Sequence, residues 1–170
     1  MDSPSTSTST LLANQRGITL VETLVTIAIL AILLGIAVPS FDLLINRNRA
    51  QSSGKQLIAL LQYARAQAQI SHQEISVTPQ TAGDWTSTLV VSRQQGGDGP
   101  DSQAVELRRS RLDDSAQVQV KTSSSAAQVV FDSNGIAESG PDYPLVFTLD
   151  SGSYGSKVCL QRSGAVWACE

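Results

Sequence analysis

One carboxylate, Glu22, is the fifth residue of an apolar run that opens at Ile18 and continues to Val38. The only other polar side chains in that run are Thr19, Thr23 and Thr26. A charged side chain in hydrocarbon is expensive and either finds a partner or reaches back to the water interface. Both readings of Glu22 are open on the isolated segment. The other groups able to do chemistry lie far away in sequence: Cys159 and Cys169, the single His72, the arginines Arg108, Arg109 and Arg111, and the aspartates of Gly96-Gly97-Asp98-Gly99-Pro100-Asp101. Two cysteines and one histidine do not make a closed zinc set, and the 96–101 spacing does not fit an EF-hand loop. That segment has the residues of a surface turn, although its carboxylates could also meet calcium. His72 is expected to cap a helix end by interacting with its last carbonyls rather than act as a base. The sequence has no Gly-x-Ser-x-Gly, phosphate loop, dinucleotide fingerprint or His-Glu-x-x-His, so neither catalytic residues nor cofactors are expected.

The element that must position Glu22 is a helix. The twenty-one residues from Ile18 to Val38 would rise about 31 Å, the thickness of a hydrocarbon core. A cleaved secretory signal is the competing reading, with Ile36-Ala37-Val38 as a weak cleavage region. Orientation is undecided by charge, because Arg16 flanks one side while Arg47, Arg49 and Lys55 follow the other. After Pro39 the apolar residues become periodic: Phe41, Leu44, Ile45, then Leu57, Ile58, Leu61, Ala64 and Ala68. That spacing is one face of an amphipathic helix, whose second half should meet a core. Residues 46–54, with Ser52-Ser53-Gly54, are expected to be exposed and less stable. Pro39 has no amide hydrogen and is expected to kink or loosen the helix. A helix from Leu20 to Ile70 would extend about 75 Å, a shaft rather than part of a small globule.

From Gln73 onward the pattern is of short strands, seven in number: 75–78, 88–91, 104–107, 117–120, 128–131, 145–148 and 157–160. Turn clusters at 96–100, 133–135 and 139–142 separate some of them. The fold class is therefore α+β: a long amino-terminal helix packed on a mostly antiparallel sheet head of about 100 residues.

The stretch Arg16-Gly17-Ile18-Thr19-Leu20-Val21-Glu22 resembles the prepilin signature of type IV pilins and type II secretion pseudopilins. The resemblance implies cleavage by a prepilin peptidase between Gly17 and Ile18, N-methylation of Ile18, and an assembly-register role for Glu22. The free amine of a neighbouring subunit would be the carboxylate's partner. Pro39 falls where the family places its helix-loosening proline, whereas Ile18 stands where the family prefers Phe. Further along, Leu57 to Ala68, Asp84-Trp85, Val130 to Gly135 and Cys159 to Gly164 are similar in order to the GspH/FimT group of minor pilins and pseudopilins. The organisation implied is a leader over 1–17, a transmembrane and assembly helix over 18–40, an amphipathic helix over 41–72, and an extracytoplasmic β-rich head over 73–170.

The same resemblance implies a single-pass bacterial inner-membrane protein with a cytoplasmic amino terminus, a periplasmic head, and passage into a filament. Expected partners are other minor and major pilins or pseudopilins, the peptidase and the inner-membrane assembly platform. An exported head favours a disulfide between Cys159 and Cys169 over two buried thiols. A hairpin centred on Ser163-Gly164 would set them opposite each other. The alternative function is DNA uptake, since some members of this group bind DNA through an arginine-rich terminal hairpin. Ala165 and Trp167 stand where those arginines would be, and the chain is acidic, with net charge −3. Both facts count against nucleic acid. Arg108, Arg109 and Arg111, followed by Asp113 and Asp114, are expected to be a strand end leading into a solvated turn.

Overall fold

The computed structural model describes residues 17–95, 103–112, 118–124, 126–138 and 142–169. The chain divides into two compact units, Met1–Pro39 and Ser40–Glu170. Helix α1, Leu20–Ser71, begins in the first and ends in the second, and its assignment runs on through Pro39.

In the first unit nearly all the described apolar residues are exposed. Ile27, Leu30 and Leu34 are more than half exposed, and every residue from Gly17 to Ile36 is exposed. The threonines are satisfied locally. The amide of Glu22 donates to Thr19 Oγ1 at 3.2 Å, Thr23 Oγ1 donates to the Thr19 carbonyl at 3.3 Å, and Thr26 Oγ1 to the Thr23 carbonyl at 2.8 Å. Thr19 is thus the helix N-cap.

Among the described residues of the second unit, eight strands form two four-stranded antiparallel sheets. The first orders β3 (Gln103–Ser110), β2 (Leu89–Gln95), β1 (Ile75–Pro79) and β5 (Val129–Phe131). The second orders β4 (Gln119–Thr122), β6 (Leu145–Ser151), β7 (Tyr154–Leu160) and β8 (Val166–Cys169). Strands β1 and β6 alternate strictly between buried and half-buried residues, the signature of a sheet with one core face. The core joins Leu57, Leu60, Leu61, Ala64 and Ala68 of α1 to inward residues of both sheets, such as Ile75, Val77, Phe147 and Val158. Trp85, in the β1–β2 connection, is buried edge-on against Phe147 at 4.9 Å, and its indole N–H donates to the Ala126 carbonyl at 2.9 Å. That bond removes the cost of burying the ring's one polar atom.

Two expectations about the helix are corrected. Phe41, Leu44 and Ile45 do not share the core face; they are 62%, 52% and 44% exposed. Residues 46–54 are not simply an exposed stretch, because Asn46 accepts from Ser151 Oγ at 3.4 Å and the small residues after it lie close against the β-strands. Ser53 is buried and donates to the Leu112 carbonyl at 2.9 Å, and Ser156 Oγ on β7 donates to the Ala50 carbonyl at 2.9 Å. A Cβ on Gly54 would come within 2.8 Å of Ser156 Oγ. Lack of bulk is what lets the backbone of α1 approach β7 here. Apolar periodicity cannot reveal such a contact.

All seven expected strands are present, most of them longer than expected, and the terminal hairpin supplies the eighth. β6 and β7 run to a tight turn at Gly152-Ser153, closed by the Ser151–Tyr154 pair, with Gly152 at φ 58°. Gly-Ser is a two-residue hairpin signal of the kind that favours such turns.

Candidate assembly segment and head corner

Gly17, Ile18 and Thr19 precede the helix and are exposed, Ile18 at 80%. The Gly17–Ile18 peptide bond therefore lies in non-helical, exposed chain. Glu22 sits in the first helical turn, where a negative charge suits the helix dipole. Its amide is capped by Thr19 Oγ1, and the residue is exposed. Among the described residues no basic group pairs with it. The Thr19-x-x-Glu22 spacing is also that of a capping box, a local signal that the charge argument passes over.

The head is locked at its far corner. Cys159 and Cys169 are disulfide-bonded, with Cα atoms 5.8 Å apart. They are not opposite each other. In the β7–β8 ladder Cys159 faces Trp167, and Cys169 faces Lys157. The bond therefore crosses the ladder diagonally on one face, which corrects the expected register. The turn centre is one residue earlier than the midpoint of the two cysteines, because Gly164, at φ 78°, takes the left-handed position and donates its amide to the Gln161 carbonyl at 2.8 Å.

That turn docks on the loop after β5. The Ala137 amide donates to the Arg162 carbonyl at 2.9 Å. Asp132 organises the β5 loop by accepting amide hydrogens from Ile136 at 2.7 Å and Asn134 at 2.9 Å. These bonds, the Ile136 amide foremost, hold the Asp132 carboxyl below its usual range. Gln69 of α1 donates to the Asn134 carbonyl at 3.0 Å.

His72 is at the helix end, as expected, but it contributes through its backbone. With φ 51° it takes the left-handed position after Ser71 that glycine commonly fills. Arg109 pairs with Glu106 at 2.8 Å on the edge strand β3, and that carboxylate raises the arginine's pKa. Arg108 lies 5.2 Å over the ring of Tyr63. The arginine group is thus largely absorbed by its own head. The 96–101 turn, Asp113 and Asp114, and residues 1–16 of the leader lie outside the described residues. Among the described residues, no group of three or more metal-ligating side chains converges.

An amino-terminal apolar helix of membrane length, continuing into a helix packed on antiparallel sheet, defines the pilin-like α+β class. Residues 12–38 match the prokaryotic N-terminal methylation motif, and residues 53–164 match the family described as type II transport protein GspH. This chain belongs to the GspH family. The matched motif and the exposed apolar helix mark residues 18–38 as a membrane anchor carrying a head. Among solved structures, the type IV minor pilin FimU of Pseudomonas aeruginosa strain PAO1 is similar at 25% identity and TM-score 0.58, covering 73% of this chain and 90% of that one. The minor pseudopilin EpsH from the type 2 secretion system of Vibrio cholerae shares the fold at 17% identity and TM-score 0.52, over 71% of this chain and 96% of that one. No curated protein matches the chain. The comparisons lend no support to the DNA-binding alternative.

Proposed function

We propose that this chain is a minor pilin or pseudopilin, a structural subunit that assembles into or primes a type II secretion pseudopilus or a type IV pilus, and not an enzyme. The observation that carries the reading is the conjunction of Gly17, Ile18 and Glu22 at the start of an exposed apolar helix with a GspH head behind it. Prepilin peptidase would remove residues 1–17, and the new amine at Ile18 would be methylated. In an assembly of such helices, Glu22 of one subunit would meet the amine of the next. Pairing replaces a poorly solvated charge with an ion pair and fixes axial register, the best-attested use of buried polar groups. Pro39 would loosen the helix between its membrane and head-bearing parts. The chain would cross the inner membrane once with its head in the periplasm. Its partners would be the platform and other minor and major subunits, among which a subunit carrying this glutamate would lie below the tip.

The exposed helix supports this reading energetically. Leu20, Val21, Leu24, Ile29, Ile32 and Ile36 offer a large apolar surface that only lipid or other helices can cover. Glu22→Ala should leave the chain in the membrane but remove it from sheared filaments or from the assembled pseudopilus. Normal recovery of the variant there would refute the register role, and a mature chain starting at Met1 would refute processing.

A further inference from the structure

The loop after β5 holds the one asparagine of the chain that a glycine follows. Asn134 precedes Gly135, whereas Asn14, Asn46 and Asn48 precede Gln15, Arg47 and Arg49. In such a pair the glycine's backbone nitrogen is able to attack the side-chain amide carbon before it, because no Cβ shields the nitrogen. The fold keeps the two reactants apart in kind. Asn134 is exposed to water, while Gly135 is buried. The Gly135 amide donates to the Asp132 carbonyl at 2.8 Å, so its proton is engaged and its peptide plane is fixed. The Asn134 carbonyl accepts from Gln69 Nε2 at 3.0 Å, and the Asn134 amide donates to Asp132 Oδ1 at 2.9 Å. Even the side-chain amide leans on the same carboxylate, with Nδ2 donating to Asp132 Oδ2 at 3.4 Å. Attack needs the nitrogen and the carbon aligned and nearly in contact, and this web of bonds resists the rotation that would align them.

We propose that Asn134 is a site of spontaneous deamidation timed by the fold: the closed corner holds the reaction off, and opening of the corner releases it. Water and base are the only co-reactants. Base takes the Gly135 amide proton, the freed nitrogen bonds to Asn134 Cγ, and the bond from Cγ to Nδ2 breaks, ammonia leaving with a proton from water. Water then opens the five-membered imide. Cleavage at Cγ gives aspartate; cleavage at the backbone carbonyl carbon gives isoaspartate, in which the chain runs through the former side chain. Nothing is oxidised or reduced, and either product adds one carboxylate to a chain of net charge −3.

The product does not fit the closed corner. A group that donated to Asp132 becomes a second carboxylate facing it, and the two repel. The isoaspartate route also adds a backbone atom just ahead of Gly135, whose carbonyl already lies too near Gly164 to admit a side chain there. Deamidation thus loosens the dock between the β5 loop and the terminal hairpin. It is an irreversible mark of heads that have opened.

The test is a time course of the full-length chain in detergent at mildly alkaline pH, followed by peptide mapping that separates asparagine, aspartate and isoaspartate. Conversion at Asn134 in the folded chain should run at least about tenfold slower than in the urea-unfolded chain, since only the opened fraction reacts. Asp132→Ala, confirmed as folded by circular dichroism, should approach the unfolded rate; Gln69→Ala serves if that variant does not fold. Asn134→Asp should raise hydrogen exchange at Ala137 and Gly164, and the neutral Asn134→Ser should raise it less. An unfolded chain that converts no faster at Asn134 than at Asn46 or Asn48 would overturn the site. Equal rates in folded and unfolded chains, or loop variants as slow as the wild type, would overturn the control by the fold. Equal exchange in Asn134→Asp and Asn134→Ser would overturn the loosening.

Discussion

Gly164 and Gly135 meet at the corner where the terminal hairpin touches the loop after β5, so closely that a side chain on Gly164 would collide with the Gly135 carbonyl oxygen. Both are left-handed, at φ 78°, and both lie against Arg65 of α1. Gly164→Ala should therefore cost about 2 kcal/mol or more, from the left-handed backbone alone plus the collision. Thermal unfolding of the detergent-solubilised chain would show it. An unchanged midpoint would mean that the corner relaxes freely.

Replacing both Cys159 and Cys169 with serine should destabilise the head by about 2–3 kcal/mol, the chain-entropy estimate for so short a loop. Because the bond crosses the ladder diagonally, β8 should fray first. Hydrogen exchange at Trp167 and Ala168 would then rise before exchange at Val158.

At Gly54 two effects compete. Alanine gains about 1 kcal/mol of helix propensity, but its Cβ would press on Ser156 Oγ at 2.8 Å. Gly54→Ala should come out near neutral. Gly54→Leu should cost about 1–3 kcal/mol by forcing α1 away from β7. Adding Ser156→Ala to Gly54→Ala removes the obstructing oxygen, although it also gives up the bond to Ala50. A double-mutant cycle would reveal the coupling.

Asp132 gives the β5 loop an acid dependence. Its folded pKa is lowered by the amide bonds, so its contribution is present above the unfolded value of about 4 and is lost as pH falls through the folded one. The wild type should weaken on acidification below about pH 4 relative to Asp132→Asn, in which this titration is gone. Parallel unfolding midpoints across that window would contradict the assignment.

Much of this arrangement was legible in the chain. The anchor was, because twenty-one residues with one carboxylate have few other physical uses. So were the helix stripe Leu57, Leu61, Ala64 and Ala68 and the seven strands, because apolar periodicity records which face is covered. The disulfide pair was legible, but its register was not, since one left-handed glycine shifts the turn. The clasp between α1 and β7 was hidden because it is made of Ser, Ala and Gly, which carry no hydropathy signal.

By itself the sequence determined the local elements: a membrane-length helix with a processing motif, an amphipathic continuation, short strands and an oxidisable pair. Each depends on residues a few positions apart, where spacing alone sets geometry. The tertiary structure decided how they fit. Ser53 reaches Leu112 across 59 residues and Ser156 reaches Ala50 across 106. Contacts at that range depend on steric fit and hydrogen-bond geometry among small polar groups, and no periodicity along the chain encodes them.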